Sequence, residues 1–207
     1  MGKFIVFEGT DGSGKSTQIA NLAKRLTDNG EKVYITAEPT VSLSGGILRD
    51  ALAGITQKSP SELAVLFAWD RINHNVNKYD GIEKLLSEGY TVLCDRYYYS
   101  SLAYQGKDAG YEWVKSLNTG CKDIRKPDLC FFLDVSPKVS MERINSGRQT
   151  KEIYEKEDQL TQIRETFYKV IDDLNDNIVI INAEEDMISV SNKIYEEYQK
   201  AFKNTVL

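Results

Sequence analysis

The stretch that decides the fold reads Gly9, Thr10, Asp11, Gly12, Ser13, Gly14, Lys15, Ser16 and Thr17. Its first eight residues fit the pattern G-x-x-x-x-G-K-S/T, in which a loop between a strand and a helix holds phosphate groups. The flanks have the required form, since the apolar run 4–7 precedes the loop and residues 19, 22, 23 and 26 follow at helical spacing. The segment therefore predicts a strand, a phosphate-binding loop and a helix in succession.

Three kinds of residue give this loop its chemistry. The glycines allow backbone N–H groups and a helix N-terminus to approach an anion closely. Lys15 supplies a positive charge, and the Ser16 hydroxyl can join the ligand shell of a Mg²⁺ ion between two phosphates. We therefore expect a nucleoside triphosphate on residues 9–17, the alternative being a glycine-rich turn without a ligand.

The rest of the sequence predicts a single α/β domain over residues 1–207. The chain is 41% hydrophobic, which suits one globular core. Apolar strand candidates alternate with helical patterns, and this order predicts a three-layer fold with a five-stranded, mostly parallel sheet between helices. The further strand candidates are 32–36, 91–95, 129–135 and 177–182, and the helical stretches run to about residue 54, over 60–86 with breaks, from near 155, and over 186–203.

Composition argues against several functional classes. The net charge of −5 comes without a basic stripe, so we expect no nucleic-acid binding. No long apolar segment or signal-peptide pattern is present, and we expect a cytoplasmic protein without membrane contact. Cys94, Cys121 and Cys130 form no C-x-x-C pair, which favours buried thiols in a reducing compartment over a structural zinc site.

Two further pairs carry chemistry. Asp95 and Arg96 end an apolar strand, where the carboxylate could orient the shell of Mg²⁺ and the arginine could face phosphate. The alternative is an ordinary ion pair at a strand end. Phe67 and Arg71 stand four residues apart on a predicted helix, so they share a face and could hold a nucleobase by stacking and hydrogen bonding. Taken alone, such a pair is more often a core aromatic beside a solvated arginine.

Four segments together resemble the thymidylate kinase family, and their order and separation cover nearly the whole chain. They are EGTDGSGKST at 8–17, LFAWDR at 66–71, DRYYYSSLAYQG at 95–106 and PDLCFFLDV at 127–135. The resemblance implies a nucleoside monophosphate kinase of bacterial type that transfers the γ-phosphoryl group of ATP to dTMP in the presence of Mg²⁺. It also implies a mobile lid at about 143–155 and a homodimer packed through helices.

The same resemblance implies roles for individual side chains. Phe67 would stack on thymine, Arg71 would donate to a thymine carbonyl, and Arg96 would hold the 5′-phosphate of the acceptor and act in catalysis with Lys15. The other matching positions are Asp11 for the sugar 3′-hydroxyl or the metal shell, Glu38 at the pocket border, Arg49 beside the acceptor phosphate, Ser101 and Gln105 at the base, Tyr104 against the sugar, and Asp95 with Ser16 for the metal.

The sequence departs from the family pattern at two places. After the second strand the bacterial pattern E-P-G-G-T is replaced by Glu-Pro-Thr-Val at 38–41, with a glycine pair only at 45–46. Gly12 carries no charge where eukaryotic members have an arginine, so a cation must come from the lid. The lid offers Arg143, Arg148 and Lys151, and we predict that Arg148 fills this role because Gly147 and polar neighbours permit closure.

Two other functions fit parts of the sequence. A deoxynucleoside kinase would need a carboxylate base for a neutral hydroxyl, and Glu38 stands where such a base could be. A GTP-binding switch is suggested by residues 77–80, which spell the guanine-reading tetrapeptide N-K-x-D. The polar residues before this tetrapeptide do not form a strand pattern, so we interpret it as a coincidence at a helix end.

Overall fold

Five apolar segments form one parallel sheet in the computed structural model, which describes residues 2–147 and 157–202. The strand order is β2-β3-β1-β4-β5, and every pair of neighbours is parallel. The prediction of a five-stranded, mostly parallel sheet is confirmed, and no strand of it is antiparallel. The strands are β1 Lys3–Glu8, β2 Val33–Ala37, β3 Thr91–Asp95, β4 Leu129–Asp134 and β5 Ile178–Asn182.

Helices cover both faces of this sheet. They are α1 Lys15–Asp28, α2 Leu43–Leu52, α3 Pro60–Val76, α4 Ile82–Ser87, α5 Tyr98–Tyr104, α6 Gly106–Ala109, α7 Tyr111–Thr119, α8 Pro137–Gly147, α9 Glu157–Leu174 and α10 Met187–Phe202. The sequence prediction contains the stretches of α1 to α4, α9 and α10; it contains neither α8, whose last residues fall in the predicted lid at about 143–155, nor the three helices α5 to α7. These three are short and are separated by glycine-containing junctions, so none has the length that gives a clear helical period.

The central strands bury both of their faces, which explains why they read as continuous apolar runs. On β1, Phe4 and Val6 pack into the cluster that includes Phe167 of α9, whereas Ile5 and Phe7 pack against α1 and α10. All four of these strand side chains are fully buried. The alternation divides the core into two layers, one on each side of the sheet.

Strand register brings the chemically interesting residues to one edge. In the parallel ladders Phe7 pairs with Asp95, and Ala37 pairs with the same Asp95. The first residues after β1 and β2, together with the end of β3, therefore meet at the carboxyl edge of the sheet, where ligands bind in folds of this kind. Over the described parts of the chain, no helix combines the length and apolar character that crossing a membrane would need.

Candidate functional site

The loop after β1 contains two glycines that could not be replaced without strain, because each has a positive φ and packs closely on another segment of the chain. Gly9 has φ +144° and Gly12 has φ +78°. A Cβ atom at Gly9 would lie 2.7 Å from the carbonyl oxygen of Leu133, and one at Gly12 would lie 2.6 Å from that of Ser140. Both glycines therefore allow the loop to pack directly on the chain around β4 and α8, with a geometry that other residues would disrupt.

Lys15 begins α1 and folds back over the loop. Its ammonium donates to the carbonyl oxygens of Gly9 at 3.2 Å and Thr10 at 3.3 Å, and the side chain is buried. Burial lowers the pKa of Lys15, and the nearby charge of Arg96 lowers it further. A polyphosphate in the loop would supply the negative charge that stabilises the ammonium, so this lysine is placed for an anion.

Ser16 and Asp95 form the part of the site that suits a divalent cation. The Ser16 hydroxyl donates to Oδ2 of Asp95 at 3.1 Å. The other carboxylate oxygen, Oδ1, is buried and has no hydrogen-bond partner among the residues that the structure describes. Hydroxyl and carboxylate oxygens are the ligands that Mg²⁺ prefers, and a buried acceptor without a donor is the feature that a cation would satisfy. The residues present therefore fit the ion.

Arg96 bridges the end of β3 and the phosphate loop. Its guanidinium forms an ion pair with Asp11 at 2.7 Å and donates to the carbonyl oxygen of Gly9 at 3.2 Å. It also lies 5.4 Å from the ring centre of Tyr104. The structure thus brings the predicted residues Asp11, Arg96 and Tyr104 together beside the loop.

A second cluster of buried charges begins where β2 ends. One oxygen of Glu38 accepts hydrogen bonds from Nε of Arg71 at 2.8 Å and Nη2 at 2.7 Å. The other oxygen lies 3.0 Å from Nδ1 of His74, whose Nε2 lies 2.7 Å from the Thr36 hydroxyl. Both carboxylate oxygens of Glu38 are therefore engaged, and the backbone N–H of Glu38 is held by the carbonyl of Asp95.

The remaining edge of Arg71 faces α5 and α7. Nη1 donates to the Ser101 hydroxyl at 3.3 Å and to the side-chain oxygen of Asn118. The Arg71 side chain is 1% exposed, so the sequence-based alternative of a solvated arginine is wrong for the described structure. Phe67 lies one turn earlier on α3 and is half-buried, and Gln105 is buried after α5.

Another buried carboxylate organises the segment that departs from the family pattern. Asp70 accepts hydrogen bonds from the backbone N–H and hydroxyl of Thr40, at 2.8 Å and 2.6 Å, and from the Ser44 hydroxyl at 2.6 Å. Arg49 donates to the carbonyl oxygens of Pro39 and Thr40. The hydroxyl groups of Thr40 and Ser44 therefore hold the turn after β2 in place, and the side chain of Arg49 binds the backbone of the same turn.

Sequence reasoning gave no role to four polar residues at this edge. They are Glu8, Asp70, His74 and Asn118. Glu8 carried a usable signal, since a charged residue closes an otherwise apolar strand. Asp70, His74 and Asn118 lie on helices, where a polar residue next to apolar ones does not reveal from sequence which partner it meets.

Of the three lid cations, only Arg143 lies in the described residues. It donates to the carbonyl oxygens of Gly12 at 3.4 Å and Ala183 at 3.0 Å. Arg148 and Lys151 lie outside the described residues, as does most of the segment 143–155. The tetrapeptide Asn77–Asp80 follows α3 as a turn, so it does not end a strand as the guanine-reading motif does.

Comparisons with known proteins place this sequence in a family. A family model described as thymidylate kinase matches residues 7–194. A probable thymidylate kinase of Methanocaldococcus jannaschii is 39% identical over 92% of this chain and 93% of that protein. Thymidylate kinases of Caldicellulosiruptor saccharolyticus and Lactobacillus acidophilus are 41% and 32% identical, over 72% and 100% of this chain and 73% and 98% of theirs. The chain therefore belongs to the thymidylate kinase family.

Proposed function

We propose that this protein transfers the γ-phosphoryl group of ATP to dTMP, giving dTDP and ADP. The observation that carries the proposal is the position of Arg96, which reaches from the end of β3 to Gly9 and Asp11 of the phosphate loop. A cation at this place can hold the phosphate of a second nucleotide against the one in the loop. Membership of the thymidylate kinase family and the relatives' names support dTMP as that nucleotide.

The reaction needs no general base. An oxygen of the acceptor phosphate is already ionised; it forms the new bond to the γ-phosphorus while the bond to the bridging oxygen of ADP breaks. Catalysis then consists of positioning and charge neutralisation. Glu38, the candidate base of a deoxynucleoside kinase, has both oxygens bound by Arg71 and His74, which favours the monophosphate as acceptor.

Each charged group at the loop has a part in this mechanism. Lys15 neutralises the oxygens of the transferred group, and Arg96 holds the acceptor phosphate while Asp11 fixes the arginine. Ser16 and Asp95 would hold Mg²⁺, which neutralises phosphate charge when it is bound. Gly9, Thr10, Gly12, Ser13, Gly14 and Thr17 complete the loop around the ATP phosphates.

The base and sugar of the acceptor would lie between α3 and α5. Phe67 would stack on thymine, and Arg71 with Ser101 and Gln105 would read its polar edge. Tyr104, beside Arg96, would pack against the sugar. Because Arg71 is already fully engaged, base binding on this account exchanges one set of hydrogen bonds for another.

We also propose that two copies of the chain associate through helices and that the protein works in the cytoplasm. The exposed apolar side chains Val65 and Trp69 on α3, 47% and 41% exposed, support an interface on that helix. Cys94 and Cys130 are buried free thiols, in keeping with a reducing compartment. Light scattering would test the dimer, and a monomer at micromolar concentration would contradict it.

A screen of acceptors tests the proposed activity. Each common nucleoside monophosphate, and thymidine itself, would be incubated with ATP and Mg²⁺ while ADP release is followed. We expect dTMP to be the preferred acceptor by kcat/KM. Faster turnover of thymidine would favour a deoxynucleoside kinase, and GTP binding without transfer to any acceptor would favour a switch protein.

A further inference from the structure

Glu8 is a fully buried carboxylate at the last position of β1, directly before the phosphate loop. Its Oε1 accepts hydrogen bonds from the backbone N–H groups of Tyr97 at 2.8 Å and Ser100 at 3.1 Å. Its Oε2 accepts from the Ser100 hydroxyl at 2.6 Å. Three donors from the start of α5 therefore converge on one side chain of another strand.

These contacts replace a cap that α5 does not have. Tyr97 stands at the N-cap position and makes no side-chain capping bond. The residue before it, Arg96, has φ +69°, a backbone conformation that residues other than glycine rarely adopt. The first amides of a helix need acceptors, which usually come from a local Ser, Thr, Asp or Asn. Here Glu8 supplies them from β1 and so holds the sharp turn at Arg96.

The Ser100 hydroxyl connects Glu8 to the guanidinium. Since this hydroxyl donates to Glu8, its lone pairs are available to accept from Nη1 of Arg96, which lies 3.0 Å away. Nη2 of the same guanidinium reaches Asp11 at 2.7 Å. A chain of hydrogen bonds thus runs from Glu8 through Ser100 and Arg96 to the loop.

Charge makes this arrangement expensive for a purely structural cap. Burial raises the pKa of Glu8, although Arg96, the hydrogen bonds from Ser100 and Tyr97, and Lys15 act in the opposite direction. A neutral side chain could accept the same backbone bonds without the cost of burying a carboxylate. The carboxylate is the acceptor that orients a donor most strongly, and here it orients the hydroxyl that Arg96 meets.

We propose that Glu8 is a positioning residue, which acts through Ser100 to fix the Arg96 guanidinium where the acceptor phosphate must lie in line with the donor. The proposal rests on the phosphoryl transfer proposed above. It predicts that losing Glu8 impairs use of the acceptor more than binding of the donor, because residues 9–17 keep their own backbone geometry.

Two variants test the proposal. Glu8→Gln keeps the shape but replaces one acceptor by an amide donor, and we expect kcat/KM for dTMP to fall about a hundredfold, the size typical of a misplacement near 1 Å. Ser100→Ala keeps the carboxylate and removes the link, and we expect a fall of about tenfold, the loss of one hydrogen bond. The Kd of ATP, measured by calorimetry, should change less than twofold in both.

Combination with Arg96→Ala separates positioning from general stability. If Glu8 acts through Arg96, either Glu8→Gln or Ser100→Ala should lower kcat/KM less than twofold further when Arg96 is already absent. Losses that multiply fully in the double variants would overturn the proposal, as would a fall in ATP affinity equal to that in kcat/KM. If Glu8→Gln does not fold, the Ser100→Ala and Arg96→Ala cycle decides alone.

A matched control uses another carboxylate with several partners. Glu31, which accepts from Lys3, Thr91 and Tyr198 after α1, lies away from the site. Glu31→Gln should lower the melting temperature without changing kcat/KM for dTMP. Equal kinetic losses in Glu31→Gln and Glu8→Gln would show a general effect on the fold and contradict the proposal. Failure of the wild type to phosphorylate dTMP would refute the proposed function itself.

Discussion

The donor and acceptor sides of this site are built in different ways. On the donor side the loop is shaped by backbone, and buried side-chain atoms of Ser13 and Asp95 lack hydrogen-bond partners within the described residues. On the acceptor side Arg71 donates to Glu38 and Ser101, and Asp70 accepts from Thr40 and Ser44, so these charged groups already have hydrogen-bond partners. The donor side therefore contains polar atoms that a ligand could bind, whereas the charged groups named on the acceptor side already have hydrogen-bond partners.

This difference predicts different costs of binding. A phosphate group in the loop gains partners without breaking existing ones, apart from the two weak contacts of Lys15 to carbonyl oxygens. A base that reaches Arg71 must replace hydrogen bonds that the protein already makes, so its binding gains less free energy. The affinity for a base then depends on how well that base reproduces the hydrogen bonds it replaces. We therefore propose that the donor side provides affinity and catalysis and that the acceptor side provides selectivity.

The largest effect is expected for Lys15→Met on the donor side. Removing a cation that neutralises a transferring phosphoryl group should lower kcat about 10⁴-fold. The variant should fold normally, since the lysine is buried with a lowered pKa and loses only contacts to Gly9 and Thr10. Lys24→Met, on the exposed face of the same helix, is the control and should leave kcat unchanged. A kcat within tenfold of wild type in Lys15→Met would contradict the role.

The second largest effect is expected for Arg148, a predicted lid cation that belongs to neither the donor side nor the acceptor side. Arg148→Ala should lower kcat about a thousandfold if its guanidinium stabilises the transferring group, with only a modest change in the KM of ATP. Arg143 already binds the carbonyl oxygens of Gly12 and Ala183, so its replacement should affect ATP binding as well. Near-normal kcat in Arg148→Ala would assign the charge to Arg143 or Lys151.

Phe67→Ala tests the acceptor side alone. Stacking of a base on an aromatic ring is worth about 1–3 kcal/mol, so the KM of dTMP should rise about tenfold to a hundredfold. The KM of ATP should not change. Tyr79→Ala removes an aromatic ring that is 89% exposed just beyond the same helix, and it should alter neither constant. Equal increases in both KM values for Phe67→Ala would remove the distinction between the two sides.

The smallest effect is expected outside both sides, at Asp134. Burial alone would raise the pKa of Asp134, but hydrogen bonds from Arg164 and Tyr168 and the charge of Arg164 outweigh this effect and hold the pKa below its usual range. The ion pair of Asp134 with Arg164 therefore stabilises the fold above about pH 4, and this stabilisation is lost as the pH falls through the lowered pKa of Asp134.

Thermal unfolding of Asp134→Asn checks this dependence. At pH 7 the variant should melt about 2–4 °C below wild type, the shift that ~1 kcal/mol produces in a chain of this length. The difference in melting temperature between the variant and the wild type should become smaller near pH 3. Glu196→Gln, an exposed change on α10, should show no gap at either pH. A gap that widens on acidification would reverse the sign and contradict the account.

The sequence predicted the donor side better than the acceptor side for a physical reason. A phosphate loop is local, so the glycines and Lys15 reveal it within a few residues of chain. The network around Arg71 joins β2, α3, α5 and α7, and its partners are 30 to 47 residues away along the chain. The strand pattern likewise predicted the sheet, whereas residue spacing could not tell that Arg71 is buried instead of solvated.

Calorimetric titration of Glu38→Gln with each nucleotide separately tests the central claim most directly. Glu38 holds Arg71 through one oxygen and His74 through the other, and it makes no contact with residues 9–17 in the described hydrogen bonds. For a variant shown to be folded, the account predicts that the Kd of dTMP rises about tenfold or more, while that of ATP stays within twofold. Equal weakening of both nucleotides, or an unchanged affinity for dTMP, would contradict it.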